Sequence, residues 1–138
     1  MAGNSVSWES DWKKIEAKID RTLDQGIRAT LFEVSVAIIK ETPADLGTAR
    51  GNWQASIGRG ATGVVSVDSV RSGEAKAIAD VDQTVRVAVG DLYYLTNNLP
   101  YIERLEFGYS KQAPSGMVRK NMQNFNRLFV KNLKAASK

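Results

Sequence analysis

The chain of 138 residues contains neither cysteine nor histidine. Without cysteine there is no disulfide and no thiolate metal site. Without histidine the commonest general base is missing, and neither a Ser–His nor a Cys–His nucleophile can be built. Catalysis would have to run on carboxylates, lysine or tyrosine. No catalytic, cofactor-binding or metal-binding residue is therefore expected, and no cofactor. No apolar run approaches the ~20 residues that span a bilayer, so no membrane partner is expected. The opening MAGNSVSWESDW lacks the basic and apolar regions of a secretion signal, which leads us to expect a soluble chain made in the cytoplasm. The last 31 residues, 108–138, carry seven bases and no acid, so the whole positive excess of the +4 chain lies there.

What is present suits a single domain over 1–138, long enough to bury about 68% of its unfolded surface. Trp12, Ile15, Ile19, Leu23, Ile27, Leu31, Val34 and Ile38 recur at helical spacing. Ser7 is placed to cap that helix, and Pro43 to end it. Its second half, LFEVSVAII, is apolar nearly all round and should be buried, whereas the first half is amphipathic. A helix over 8–42 would measure about 52 Å. A compact domain of this size is about 37 Å across. The helix therefore kinks at Gly26 or projects beyond its own domain, and a projecting amphipathic end favours an oligomer.

WQASI (53–57) and LYYLTN (92–97) read as strands, and VVSVDSV (64–70) is strand-like from its β-branched content. Residues 73–89 fit a helix through about Gln83, with Val85, Val87 and Val89 alternating as in a strand. Asn97 or Asn98 is placed to cap a short helix with Pro100 in its first turn and Gly108 at its end, Tyr101, Ile102 and Leu105 facing inward. Ser115 is placed to cap a last helix with Val118, Met122, Phe125, Phe129 and Leu133 on one face. The order α–β–β–α–β–α–α makes an α+β domain: a small antiparallel sheet packed by a long N-terminal helix and a C-terminal helix.

Four features bear on function. GRGATG (58–63) matches G-x-G-x-x-G, but a strand-like segment follows where dinucleotide binding needs a helix, so a turn-forming loop is the better account. Glu103 and Glu106 share a helix face, as an acid–base or metal pair would; solvated carboxylates are commoner. On the last helix Lys120, Arg127, Lys131, Lys134 and Lys138 fall about 160–220° from Val118, opposite the apolar face. DNA phosphates, an acidic protein surface or plain solvent could each face Lys120, Arg127, Lys131 and Lys134. Trp8, Trp12 and Trp53 read as core or interface anchors, with Trp8 favouring a contact between subunits.

TPADLGTARGNWQASIGR (42–59) and YLTNNLPYIERLEFGYSKQAPSGMVR (94–119) resemble paired blocks of the neck and tail-completion proteins of long-tailed bacteriophages, the tail-component group that includes minor-tail-protein-Z-like chains. The first block, T-P-V-D-T-G-x-x-R-x-N-W, is matched by Thr42, Pro43, Asp45, Gly47, Arg50, Asn52 and Trp53, with Ala44 and Leu46 departing. The second, N-N-x-P-Y-I-x-x-L-E-x-G-x-S-x-Q-A-P-x-G, is matched from Asn97 to Gly116. The resemblance implies a non-enzymatic virion protein, made in the host cytoplasm, that forms a hexameric ring at the head–tail junction. Its partners would be copies of itself, the connector or stopper, and the tail terminator or tube. Genome DNA would pass through the lumen. On this reading Trp8, Trp12, Arg50, Trp53, Tyr101, Tyr109, Lys111 and Gln112 are the expected subunit-interface residues. The alternative is a small non-specific DNA-binding protein using the basic C-terminal helix.

Overall fold

The computed structural model describes residues 2–44, 47–108, 111–113 and 115–138, with side chains from residue 8 onward. Eight elements follow one another: α1 (Ala2–Glu41), α2 (Thr48–Gly51), β1 (Gln54–Ile57), α3 (Val70–Thr84), β2 (Tyr93–Thr96), α4 (Ile102–Glu106), α5 (Val118–Met122) and α6 (Phe125–Ala136). The architecture is mixed α+β, a two-stranded antiparallel sheet with α1 packed along α6. The strands pair in the register Gln54↔Thr96 to Ile57↔Tyr93.

At 40 residues α1 extends about 60 Å, well past the body of the domain. It starts at Ala2 rather than behind a Ser7 cap, since no proline interrupts its first turns. It also runs unbroken through Gly26. That glycine serves close packing instead of a kink: a Cβ there would sit 2.7 Å from Leu133 Cδ2 of α6. One turn on, Thr30 Oγ1 donates to the Gly26 carbonyl and accepts from Asn132 Nδ2 at 3.1 Å, so the helix crossing is both tight and hydrogen-bonded.

The core gathers Val34, Ile38 and Ile39 of α1, Ala77 and Val81 of α3, Trp53 beside β1, and Ala113 and Met117 ahead of α5. Ser69 and Ser72 form a reciprocal capping box that starts α3 at Val70, and the helix ends at Thr84. Val85 and Val87 then bury themselves without joining a strand.

Three local expectations are corrected. Residues 64–69 form no strand, and the buried Asn52 amide takes the place of a strand partner at Val65. Its Oδ1 accepts the Val65 N–H at 2.6 Å and its Nδ2 donates to the Val65 carbonyl at 3.0 Å. The last helix is broken at Gln123–Asn124 into α5 and α6. Neither asparagine caps α4, and Tyr101 at its start is exposed.

Candidate functional site

The two sequence blocks converge in space. Thr42, at the end of α1, donates its hydroxyl to the Ile38 carbonyl and accepts from Trp53 Nε1 at 2.8 Å. Arg50 Nε donates to the Thr42 carbonyl at 2.6 Å, and its Nη1 meets Glu74 of α3 at 3.0 Å. From the second block, Asn97 Nδ2 donates to the Ala49 carbonyl at 2.9 Å, and Gln112 Oε1 accepts the Ala44 N–H at 2.8 Å. Asn98 Nδ2 donates to the carbonyls of Ala61 and Gly63, which fixes the 58–63 loop. With its carbonyls held this way and no helix beginning before Val70, that loop has no helix N-terminus to offer a pyrophosphate.

Glu106 caps the start of α5. Its Oε1 accepts the N–H groups of Met117 and Val118, each at 2.8 Å, and its Oε2 accepts the N–H of Arg119 at 3.0 Å. These are orphan donors at the start of α5, where an anion is favoured. Arg119 adds Nε to Oε2 at 2.9 Å and lays its guanidinium over the Phe107 ring at 4.6 Å. Burial alone would raise the Glu106 pKa, but donation from Arg119, Met117 and Val118 outweighs it and holds the carboxyl below its ordinary value. Glu103 is exposed beside it.

Gly116 allows this approach. Its φ is +80°, and a Cβ there would collide with the Glu106 carbonyl oxygen. Tyr93, at the start of β2, sits half-buried and is bonded to Ser35 Oγ at 2.9 Å. Burial raises its pKa over the opposing effect of Ser35, with nearby Asp80 adding to the rise.

The basic face is partly neutralised from a place the sequence does not suggest. Lys131 Nζ pairs with Glu33 at 3.1 Å and Lys120 Nζ with Glu41 at 3.4 Å, both acids belonging to α1. Glu41 also accepts Asn121 Nδ2 at 2.5 Å. The side chains of Arg127 and Lys134 remain exposed, without hydrogen bond or ion pair among the described residues.

The expected interface residues divide into two groups. Trp53 is only 6% exposed and belongs to the core, and Arg50 is engaged within the chain. The end of α1 needs partners, and these two side chains supply them. Trp8, Trp12, Tyr101 and Lys111 are exposed; Gln112 is exposed but hydrogen-bonded; Tyr109 lies outside the described residues. Joining them is a stripe the periodicity already contained, Ile15 and Ile19, which stay 51% and 53% exposed on the projecting part of α1.

Two open apolar cavities, of about 240 and 400 Å³, adjoin at Leu31 and Tyr93. Together they make a groove between β2 and α5–α6, along α1 from Leu23 to Ile38. Among the described residues no carboxylate cluster is placed to hold a metal ion, and no helix is long and apolar enough to cross a membrane. Comparison with family models, curated proteins and solved structures finds no match to this chain.

Proposed function

We propose that this protein is a non-enzymatic structural component of a long-tailed bacteriophage particle, forming a homo-oligomeric ring of six copies at the head–tail junction. There it completes the tail and joins it to the connector, with genome DNA passing through the lumen. The observation that carries this reading is the use made of the two blocks that resemble neck proteins. Thr42, Arg50, Asn52, Asn97, Asn98, Glu106 and Gln112 each hydrogen-bond backbone, so the blocks encode a shape and not a reaction centre. The uncovered apolar stripe of α1 supports it further, since such a surface calls for a protein neighbour.

The test is genetic and compositional. Deleting the coding sequence is expected to leave filled heads and separate tails, and mass spectrometry of purified particles should find the protein at a few copies each. Normal joining without it, or absence from particles, overturns the proposal.

The second reading, a non-specific DNA-binding protein, rests on Arg127 and Lys134, two of the four bases expected to meet DNA, whose side chains face solvent without a partner among the described residues. It is weakened by the pairing of Lys120 and Lys131 with acids of α1. It predicts DNA binding by the free protein whose salt dependence flattens when Arg127 and Lys134 become Gln.

A further inference from the structure

We infer that the outer edge of β2 and the apolar groove beside it form a slot for an extended segment of a different protein, which adds to the sheet as a third strand. The contact does not depend on where the protein acts.

Hydrogen-bond parity locates the open edge. The Gly58 N–H donates to the Leu92 carbonyl at 2.8 Å, in the same register that pairs Gln54 with Thr96 and Ile57 with Tyr93. The directly bonded pairs are therefore Gly58 with Leu92, Ser56 with Tyr94 and Gln54 with Thr96. The backbone groups of Tyr93 and Leu95 point the other way, and no N–H or carbonyl of either has a partner among the described residues. At the opposite edge of the sheet the matching groups are covered. The Ala55 N–H donates to Asp80 Oδ2 at 2.8 Å, and α3 lies against β1. Free edges are commonly guarded by a proline, a charge or a covering element. β2 reads YYLT, with neither proline nor charge, and an open groove runs where a cover would lie.

The groove sets the chemistry of the occupant. As α1 advances from Leu23 to Ile38, the facing chain advances from Val87 to Leu95, so groove and edge run side by side. The floor is about 22 Å long, the reach of about six or seven extended residues. Side chains alternate across a strand, so every second residue of the newcomer drops toward Leu31, Val34 and Ile38 and is apolar. Among the described residues Asp91 is the one charged group lining either cavity, and it stands just ahead of β2. A lysine or arginine therefore belongs at that end of the segment. A helix in the slot would leave Tyr93 and Leu95 unpaired, since its own backbone bonds are internal. A second copy has no extended segment to lend among the described residues. β1 and β2 bond each other, Asn52 clamps Val65, and Arg28 and Asp24 hold Val87 and Val89. Strand addition to an exposed edge by a different chain satisfies all of these features.

The test selects binders from a library of short random peptides on the full-length protein. Enriched sequences are expected to alternate apolar residues with polar ones and to carry a base near one end. When such a peptide is made and bound, amide exchange at Tyr93 and Leu95 should slow about tenfold, while Tyr94 and Thr96, already paired with β1, change little. Methylating alternate backbone nitrogens of the peptide should abolish binding for one set and spare the other, because only one set faces β2. Met122→Arg, at an exposed position on the groove, should weaken binding about tenfold. Asp91→Asn should weaken the basic-ended peptides about threefold. Enriched peptides with helical spacing, equal sensitivity to both methylation patterns, or equal enrichment on the Met122→Arg chain each overturn the inference. So does protection of Tyr93 and Leu95 that grows with protein concentration in the absence of peptide, which puts a second copy in the slot.

Discussion

Arg119 grips Glu106 three times, donating to Oε2 from its backbone N–H at 3.0 Å and from Nε at 2.9 Å, and to the carbonyl from Nη2 at 2.7 Å. With Met117 and Val118 on the other oxygen, this carboxylate ties α4 to α5 and seats Met117, which is fully buried, in the core. Replacing Glu106 by Gln keeps the shape but loses the charge and one strong acceptor. Chemical denaturation at neutral pH should register a loss of about 1.5–3 kcal/mol. A carboxyl whose folded pKa is depressed stabilises fully above its ordinary value of 4.5 and loses that contribution as pH falls below it. The gap between wild type and Glu106→Gln should therefore narrow progressively below about pH 4.5.

Gly116→Ala acts on the same joint through the backbone. The positive φ and the collision with the Glu106 carbonyl oxygen together should cost about 1–3 kcal/mol, read as a drop in thermal midpoint.

Trp53 has two roles that separate by substitution. Trp53→Phe removes the donor to Thr42 Oγ1 while retaining most of the ring, and should cost about 1–2 kcal/mol. Trp53→Ala opens the core and should cost about 3–5 kcal/mol. Equal losses in the two variants would mean that the hydrogen bond, not packing, dominates.

The Asn52 clamp makes a prediction local to one amide. In the wild type the Val65 N–H should exchange slowly although residues 64–69 belong to no sheet. Asn52→Ala should release it, raising exchange at Val65 toward that of an open loop, and should destabilise the protein by about 1–3 kcal/mol.

At the far end of α1 the expectation is the opposite. Trp12→Ala and Ile15→Ala remove exposed side chains, so the fold should hold to within about 0.5 kcal/mol. Lys131→Gln, breaking an exposed pair with Glu33, should be equally mild.

The sequence announces what depends on local pattern and conceals what depends on distant side chains. Apolar spacing from Trp12 to Ile38 reads directly as α1, and aromatic and β-branched content locates β1 and β2. The strand expected at 64–70 fails because β-branched residues report a backbone preference, not which group satisfies that backbone. Here the group is an asparagine 13 positions earlier. The break at Gln123–Asn124 is hidden because Val118, Met122 and Phe125 keep helical spacing across it. The neutralised bases were illegible for a similar reason, Lys131 and Glu33 being 98 residues apart. Glu106 could have been found: a carboxylate twelve positions ahead of a helix that carries no acid in its first turn is a candidate cap from outside.

The Thr30–Asn132 hydrogen bond joins positions 102 residues apart. During synthesis the buried side of α1 therefore waits for α6, the last element made. At about 5–20 residues per second the delay is roughly 5–20 s. Through that interval Leu31, Val34 and Ile38 have no native cover from α5 and α6.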